Sequence, residues 1–191
     1  MNSGDLGRLD EDGYLWLTGR AKDVIIRGGH NIDPQAIEEV FFQHPAVALA
    51  AVVAQPDAYA GELPVAFVQL NPNMPIDEAD LIAFVRERTP ERAAVPVHVY
   101  FVDAMPLTGV GKVFKPILRA DAARVAVGRI LAGLQTDSCT LNVTVRADQQ
   151  QGSVITVAVG GVPDAQRDRL ESELHGRLNP LVMPHEIVWQ P

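Results

Sequence analysis

A single cysteine, Cys139, stands among 191 residues, so no disulfide can form within the chain. That is compatible with a reducing compartment. No apolar run approaches the roughly 20 residues that a membrane-spanning helix needs, and no membrane span is expected. The first residues do not pair a basic stretch with an apolar one, so no secretory signal is expected either. Positive charge is the scarcer sign: 16 Lys and Arg against 24 Asp and Glu leave a formal net charge of -8 at pH 7. Nucleic-acid affinity rests on many Lys and Arg contacts to phosphates, so this balance argues against a nucleic-acid partner. No metal centre is expected; the densest acidic group, Asp10, Glu11 and Asp12, reads as a solvated turn. A soluble, cytoplasmic protein is the expectation.

What is present begins with two apolar runs around a joint. Leu6 and Leu9 on one side and Tyr14, Leu15, Trp16 and Leu17 on the other flank Asp10-Glu11-Asp12-Gly13, a hairpin signal in which glycine accepts positive φ. Val24-Ile25-Ile26 is short and β-branched and reads as a strand ending at Gly28-Gly29. Paired glycines remove two side chains, which lets a second backbone or a slim ligand come close.

From Asp33 the period changes. Asp33 can cap a helix, Pro34 suits its first position, Ile37, Val40 and Phe41 share a face, and His44-Pro45 ends it. Val47 to Ala54 and Leu63 to Leu70 read as buried strands separated by Gln55-Pro56-Asp57. Asp77 opens a second helix with Leu81, Ile82, Phe84 and Val85 as its apolar side and Thr89-Pro90 as its stop. Val97 to Val102 makes a third strand. A short helical pattern surrounds Ile117, Leu118 and Ala122, and a linker is expected over 128–135. Beyond it, Cys139, Leu141, Val143 and Val145 alternate with polar residues as a half-buried strand, and Gln149 to Gly152 turn the chain into a second one, Val154 to Val159. Leu170, Leu174 and Leu178 recur at helical spacing up to Asn179-Pro180, and Glu186 to Trp189 adds a strand. The expected class is α+β: an N-terminal β-hairpin, a three-stranded sheet with flanking helices, and a β-β-α-β appendage. Hydrophobic residues at 47% suffice for one core or two small ones.

Several stretches resemble, in order and at about the same spacing, the acyl-adenylate-forming superfamily of acyl-CoA synthetases, peptide-synthetase adenylation domains and luciferases. They are Ser3-Gly4-Asp5-Leu6-Gly7, Gly19-Arg20 with Lys22-Asp23, and Ile26-Arg27-Gly28-Gly29-His30-Asn31-Ile32 leading to Ile37-Glu38-Glu39. Pro106-Leu107-Thr108-Gly109-Val110-Gly111-Lys112 is similar to the terminal lysine motif of that family. The match covers the first two-thirds of the chain and does not extend to the appendage.

The resemblance implies roles for particular residues. Lys112 would contact the carboxylate and the α-phosphate of ATP during adenylation, where a flexible ammonium offsets the repulsion of two anions. Asp5 would bind the ribose and Arg20 the ribose or phosphate. Lys22 would be the hinge about which a small C-terminal domain swings between half-reactions. Gly28 and Gly29 would border the channel of the pantetheine thiol of CoA. His30 could serve as a base toward that thiol or be structural. Lys115, Arg119 and Arg124 could meet CoA phosphates, though a solvated helix face is the plainer reading. Magnesium would accompany ATP on the large N-terminal domain, whose Thr/Ser/Gly-rich phosphate loop and acyl pocket are not found here.

The implied organisation is a tail of that domain over 1–21, a mobile ligase domain over 22–127, the linker over 128–135 and an additional subdomain over 136–191. The implied function is the C-terminal part of an ATP-dependent acyl-CoA synthetase acting on a carboxylic acid, a fatty acid in the first instance, and inactive alone. Its partner would be its own N-terminal domain; self-association is left open. CoA is favoured over a carrier protein because Asp137-Ser138-Cys139 enters a strand rather than a helix. The alternative is a stand-alone binding or regulatory module with the appendage as its interaction surface.

Overall fold

The computed structural model describes residues 4–136, 139–148 and 152–190. They divide into two compact units, one running to Ala54 and including Glu62–Lys115, the other made of Gln55–Gly61 and the chain from Pro116 onward.

In the first unit, β1 (Asp5–Leu9) and β2 (Leu15–Arg20) pair antiparallel as a separate two-stranded sheet. Its turn forms as the residues demand. Asp10 Oδ1 accepts from the N–H groups of Asp12 and Tyr14, Asp10 Oδ2 accepts from the Trp16 indole at 2.7 Å, and Gly13 sits at φ 84°. A single 3₁₀ turn, Ala21–Asp23, leads to the main sheet.

That sheet has five strands rather than the expected three. Besides β5 (Val47–Asp57), β6 (Gly61–Leu70) and β7 (His98–Phe101), it takes in the short hairpin β3 (Ile25–Arg27) and β4 (His30–Ile32). The path runs β4-β3-β6-β5, and β7 lies parallel to β6 over Val65 to Val68. Three residues per strand carry too little pattern to reveal such pairing in advance. β5 also continues through Gln55-Pro56-Asp57, beyond the end that its sequence pattern implies.

Helices α1 (Pro34–Phe42) and α2 (Glu78–Arg88) start where their caps predict. Asp33 accepts from Gln35 N–H at 2.9 Å and Asp77 from Asp80 N–H at 2.8 Å, which satisfies amides that a helix start leaves unpaired. Ile37 and Phe41 of α1 and Leu81 and Val85 of α2 pack with Ile25, Ile32, Val52, Ala66, Val68 and Val99 in one core.

In the second unit, α3 (Lys115–Leu131) passes into a 3₁₀ turn, Ala132–Leu134. The stretch expected as a linker is therefore helical through Leu134. Gly128 is tolerated inside the helix because Val127 and Leu131 on either side are fully buried and hold it. β8 (Thr140–Asp148) and β9 (Gly152–Gly160) pair antiparallel; the turn read at Gln149 to Gln151 lies outside the described residues. α4 (Asp164–Leu178) carries the chain over to β10 (His185–Trp189), which joins β9 in parallel. Val127, Leu131, Cys139, Leu141, Ile155, Val157, Leu174 and Leu178 form this unit's core, the β-β-α-β arrangement that the sequence pattern implied. Among the described residues no helix is long and apolar enough to cross a membrane.

Phe41 is 0% exposed, so Phe41→Ala is expected to cost about 3–5 kcal/mol through lost burial and a residual cavity. Asp33→Ala, which removes only a cap bond, is expected to cost about 1 kcal/mol. Denaturant unfolding of the two variants checks the order.

Candidate functional site

The residues singled out by the sequence stand at three places in the first unit: the β1–β2 ribbon with the 3₁₀ turn after it, the β3–β4 turn and the loop between β7 and the helix that follows. Asp5 and Arg20 are direct partners across the β1–β2 ladder, and Arg20 Nε lies 3.7 Å from Asp5 Oδ1. Both are solvent-accessible, so this ion pair is weak and open to exchange with a ligand. Lys22 is exposed on the 3₁₀ turn that joins the two-stranded sheet to the five-stranded one. Asp10, by contrast, belongs to its turn: the indole of Trp16, then the amide of Tyr14, holds its carboxyl below the usual range.

Gly28 and Gly29 form the two-residue turn of the β3–β4 hairpin, with Arg27 opposite His30. Their φ angles of 56° and 88° are those of a type I′ turn, which matches the twist of the strands it joins. A Cβ on either glycine would meet nothing within 4 Å. Backbone conformation is what requires glycine here, and the space in front of the turn is open. His30 Nδ1 lies 3.0 Å from Glu91 Oε1, an exposed pair.

Lys112 closes a small turn on the loop between β7 and α3. Thr108 N–H donates to the Lys112 carbonyl at 2.7 Å, Gly111 N–H to the Thr108 carbonyl at 2.8 Å, and Lys112 N–H to Thr108 Oγ1 at 3.1 Å. Gly111 sits at φ 78°, so the residue type follows from the turn. The Lys112 side chain is exposed, and among the described residues none forms an ion pair with its ammonium.

Two features were not legible in the sequence. Lys115 neither lines a solvated face nor is open to phosphates: its Nζ is 2.8 Å from Glu38 Oε1, with side chains only 17% and 14% exposed. Glu38 Oε1 also accepts from Val52 N–H at 2.7 Å. The only hint was that Glu38 adjoins the apolar face of α1. Arg124 pairs with Asp121 at 3.4 Å. The second feature is a cleft of about 640 Å³ lined by Arg27, Arg86, Arg92, Thr89 and apolar neighbours. Arg27 is oriented there by the Ala93 carbonyl at 2.8 Å, and the buried Thr89 hydroxyl has no hydrogen-bond partner. Three arginines and no carboxylate line it, so its charge favours an anionic ligand.

Burial pushes the Glu38 carboxyl up, and the Lys115 ammonium and Val52 amide pull it part of the way back. A raised folded-state value means that Glu38 favours folding at acidic pH and loses that contribution as pH rises through it. Unfolding free energy measured against pH should therefore fall more steeply above the usual glutamate range in the parent than in Glu38→Gln.

Comparison with known proteins shows what the chain is similar to. Residues 36–112 match the AMP-binding enzyme C-terminal domain. The marinolic acid–CoA ligase of a Pseudoalteromonas strain is 39% identical over 194 residues, covering 100% of this chain and 29% of that protein. The medium-chain fatty-acid–CoA ligase of Escherichia coli is 39% identical over 64% of this chain and 22% of that protein. Among solved structures, ATP-bound MatB from Rhodopseudomonas palustris superposes with a TM-score of 0.57 at 38% identity, covering 61% of this chain and 23% of that one. The chain thus spans less than a third of the length of these relatives. Over residues 36–112, with Lys112 at the end of the match, it belongs to the family of AMP-binding enzyme C-terminal domains.

Proposed function

We propose that this chain is the C-terminal part of an AMP-forming carboxylate–CoA ligase, which converts a carboxylic acid, ATP and CoA into acyl-CoA, AMP and pyrophosphate. The observation that carries the reading is the Lys112 ammonium, exposed on a glycine-bearing turn at the end of the family segment. In the first half-reaction a carboxylate oxygen attacks the α-phosphorus and pyrophosphate leaves. Lys112 lies between the two approaching anions and offsets their repulsion. Asp5 accepts from the ribose hydroxyls, and Arg20, released from its weak pair with Asp5, reaches the ribose or phosphate.

Lys22 is the hinge. It stands on the short turn between two sheets, where a few dihedrals can absorb a reorientation. After that swing the open space before the Gly28-Gly29 turn borders the thiol arm of CoA. The cleft of Arg27, Arg86 and Arg92 takes the anionic end of CoA, the role that Lys115 is too committed to fill. No residue of this chain is proposed as a magnesium ligand.

The β1–β2 ribbon supports residues 1–21 as the tail of a larger domain. Leu9, Tyr14, Leu15 and Trp16 are each at least 55% exposed on it, and a two-stranded ribbon is marginal without a partner surface. Residues 22–127 are then the mobile domain and 136–191 an added subdomain, and the chain alone does not adenylate. The acid is fatty or a related carboxylate, as in the names of the relatives.

In the full-length ligase, Lys112→Ala is expected to lower substrate-dependent pyrophosphate exchange by about 10²–10³ with the unfolding midpoint unchanged. Exchange at the parental rate would refute the assignment. Arg86→Ala and Arg92→Ala are each expected to raise KM for CoA by about tenfold, the loss of one charge-assisted contact. Pyrophosphate exchange, which needs no CoA, should not move.

A further inference from the structure

The loop that presents Lys112 is well ordered within itself but has few attachments to the rest of its unit. Leu107 bridges Val113, Phe114 N–H donates to the Pro106 carbonyl at 2.8 Å, and Thr108 closes the tip. The tip is little covered: Leu107 is 51% exposed and Val110 82%. A stiff projection of this kind can still pivot about its two roots. The first root is fixed by Met105, whose side chain is buried and whose N–H donates to Gln69 Oε1 of β6 at 2.8 Å.

We infer that the second root is fixed by the Glu38–Lys115 ion pair, and that this pair is a positioning device for Lys112 in adenylation. Lys115 follows Lys112 by three residues, a span of at most roughly 10 Å. Its ammonium is held by a carboxylate oxygen that Val52 N–H holds in turn, so the loop is tied at once to α1 and to β5. Both side chains are mostly out of solvent, so the contact is short, little screened and geometrically restrictive. A surface pair would not restrain a pivot; a largely covered pair with a third, backbone partner does. The other charged candidates near the loop, Arg119 and Arg124, lie beyond this root. The inference rests on Lys112 being the adenylation lysine, and the experiment separates the two claims.

In the full-length ligase, adenylate formation and thioester formation from preformed acyl-adenylate are measured separately for five variants. Lys112→Ala tests the lysine. Glu38→Gln removes the charge but keeps an oxygen for Val52 N–H. Lys115→Met removes the ammonium, Lys115→Arg restores a cation, and the double variant Glu38→Gln/Lys115→Met leaves no unpaired buried charge and so keeps the fold. Misplacing a catalytic group by about 1 Å costs on the order of 10²-fold in rate. Glu38→Gln, Lys115→Met and the double variant are therefore expected to lose roughly that factor in kcat for adenylation. KM for ATP and the thioester step should stay at parental values, and Lys115→Arg should recover most of the loss. Parental adenylation in the double variant while Lys112→Ala is inactive would overturn the positioning role alone. Equal losses in both half-reactions would overturn it as a general folding effect. An active Lys112→Ala enzyme would remove the assignment of Lys112 and the positioning role together.

Discussion

The first unit depends on β6 having both of its edges paired. One edge meets β5; along the other, β3 and β7 share its length. Val65, Ala66, Phe67 and Val68 are buried without a break, so both faces of the strand are covered as well. Two of the turns assigned to the site are tied to this strand. Glu62 Oε2 accepts from Ile26 N–H beside the Gly28-Gly29 hairpin, and Gln69 Oε1 accepts from Met105 N–H at the root of the Lys112 loop. Val97 and Val102, which frame β7, donate to the Pro64 and Val68 carbonyls. A fully paired strand has no freedom to slide, and its polar ends act as fixed posts for chemistry carried on exposed turns.

Against this apolar frame the placement of charge is selective. Lys112, Lys22, Asp5 and Arg20 remain accessible, where an ammonium or carboxylate keeps its solvation until a ligand replaces it. Glu38 and Lys115 are withdrawn from solvent, which is tolerated because each satisfies the other and Val52 N–H takes up a further acceptor site. Burial of this kind is a poor source of stability and a good source of geometry. The three arginines of the cleft form a third class, lining it with no carboxylate among its residues.

Local chemistry made much of this legible. Asp33 and Asp77 cap helices because a side-chain oxygen reaches an amide two or three residues ahead, and the glycines at 13, 28, 29 and 111 mark turns because only they enter positive φ without strain. The alternation from Cys139 to Val145 and the helical spacing of Leu170, Leu174 and Leu178 specified a small sheet under a helix. Less legible were interactions between distant segments. Nothing local in Ile25–Arg27 says that it extends the main sheet, and nothing in Gly128 says that burial of Val127 and Leu131 keeps a helix running through it. Lys115 read as a solvated cation because its partner lies far back in the chain, on a helix whose inner edge the period alone does not resolve.

The sequence by itself determined the α+β class, the longer strands and helices in their order, the caps and turns, and the family to which residues 36–112 belong, because these follow from short-range pattern and from motifs in register. The tertiary structure decided which strands share the five-stranded sheet and which lysine is exposed and which is largely covered. It also decided which arginines line one cleft, because those outcomes depend on the burial and pairing of residues that only the folded chain brings together.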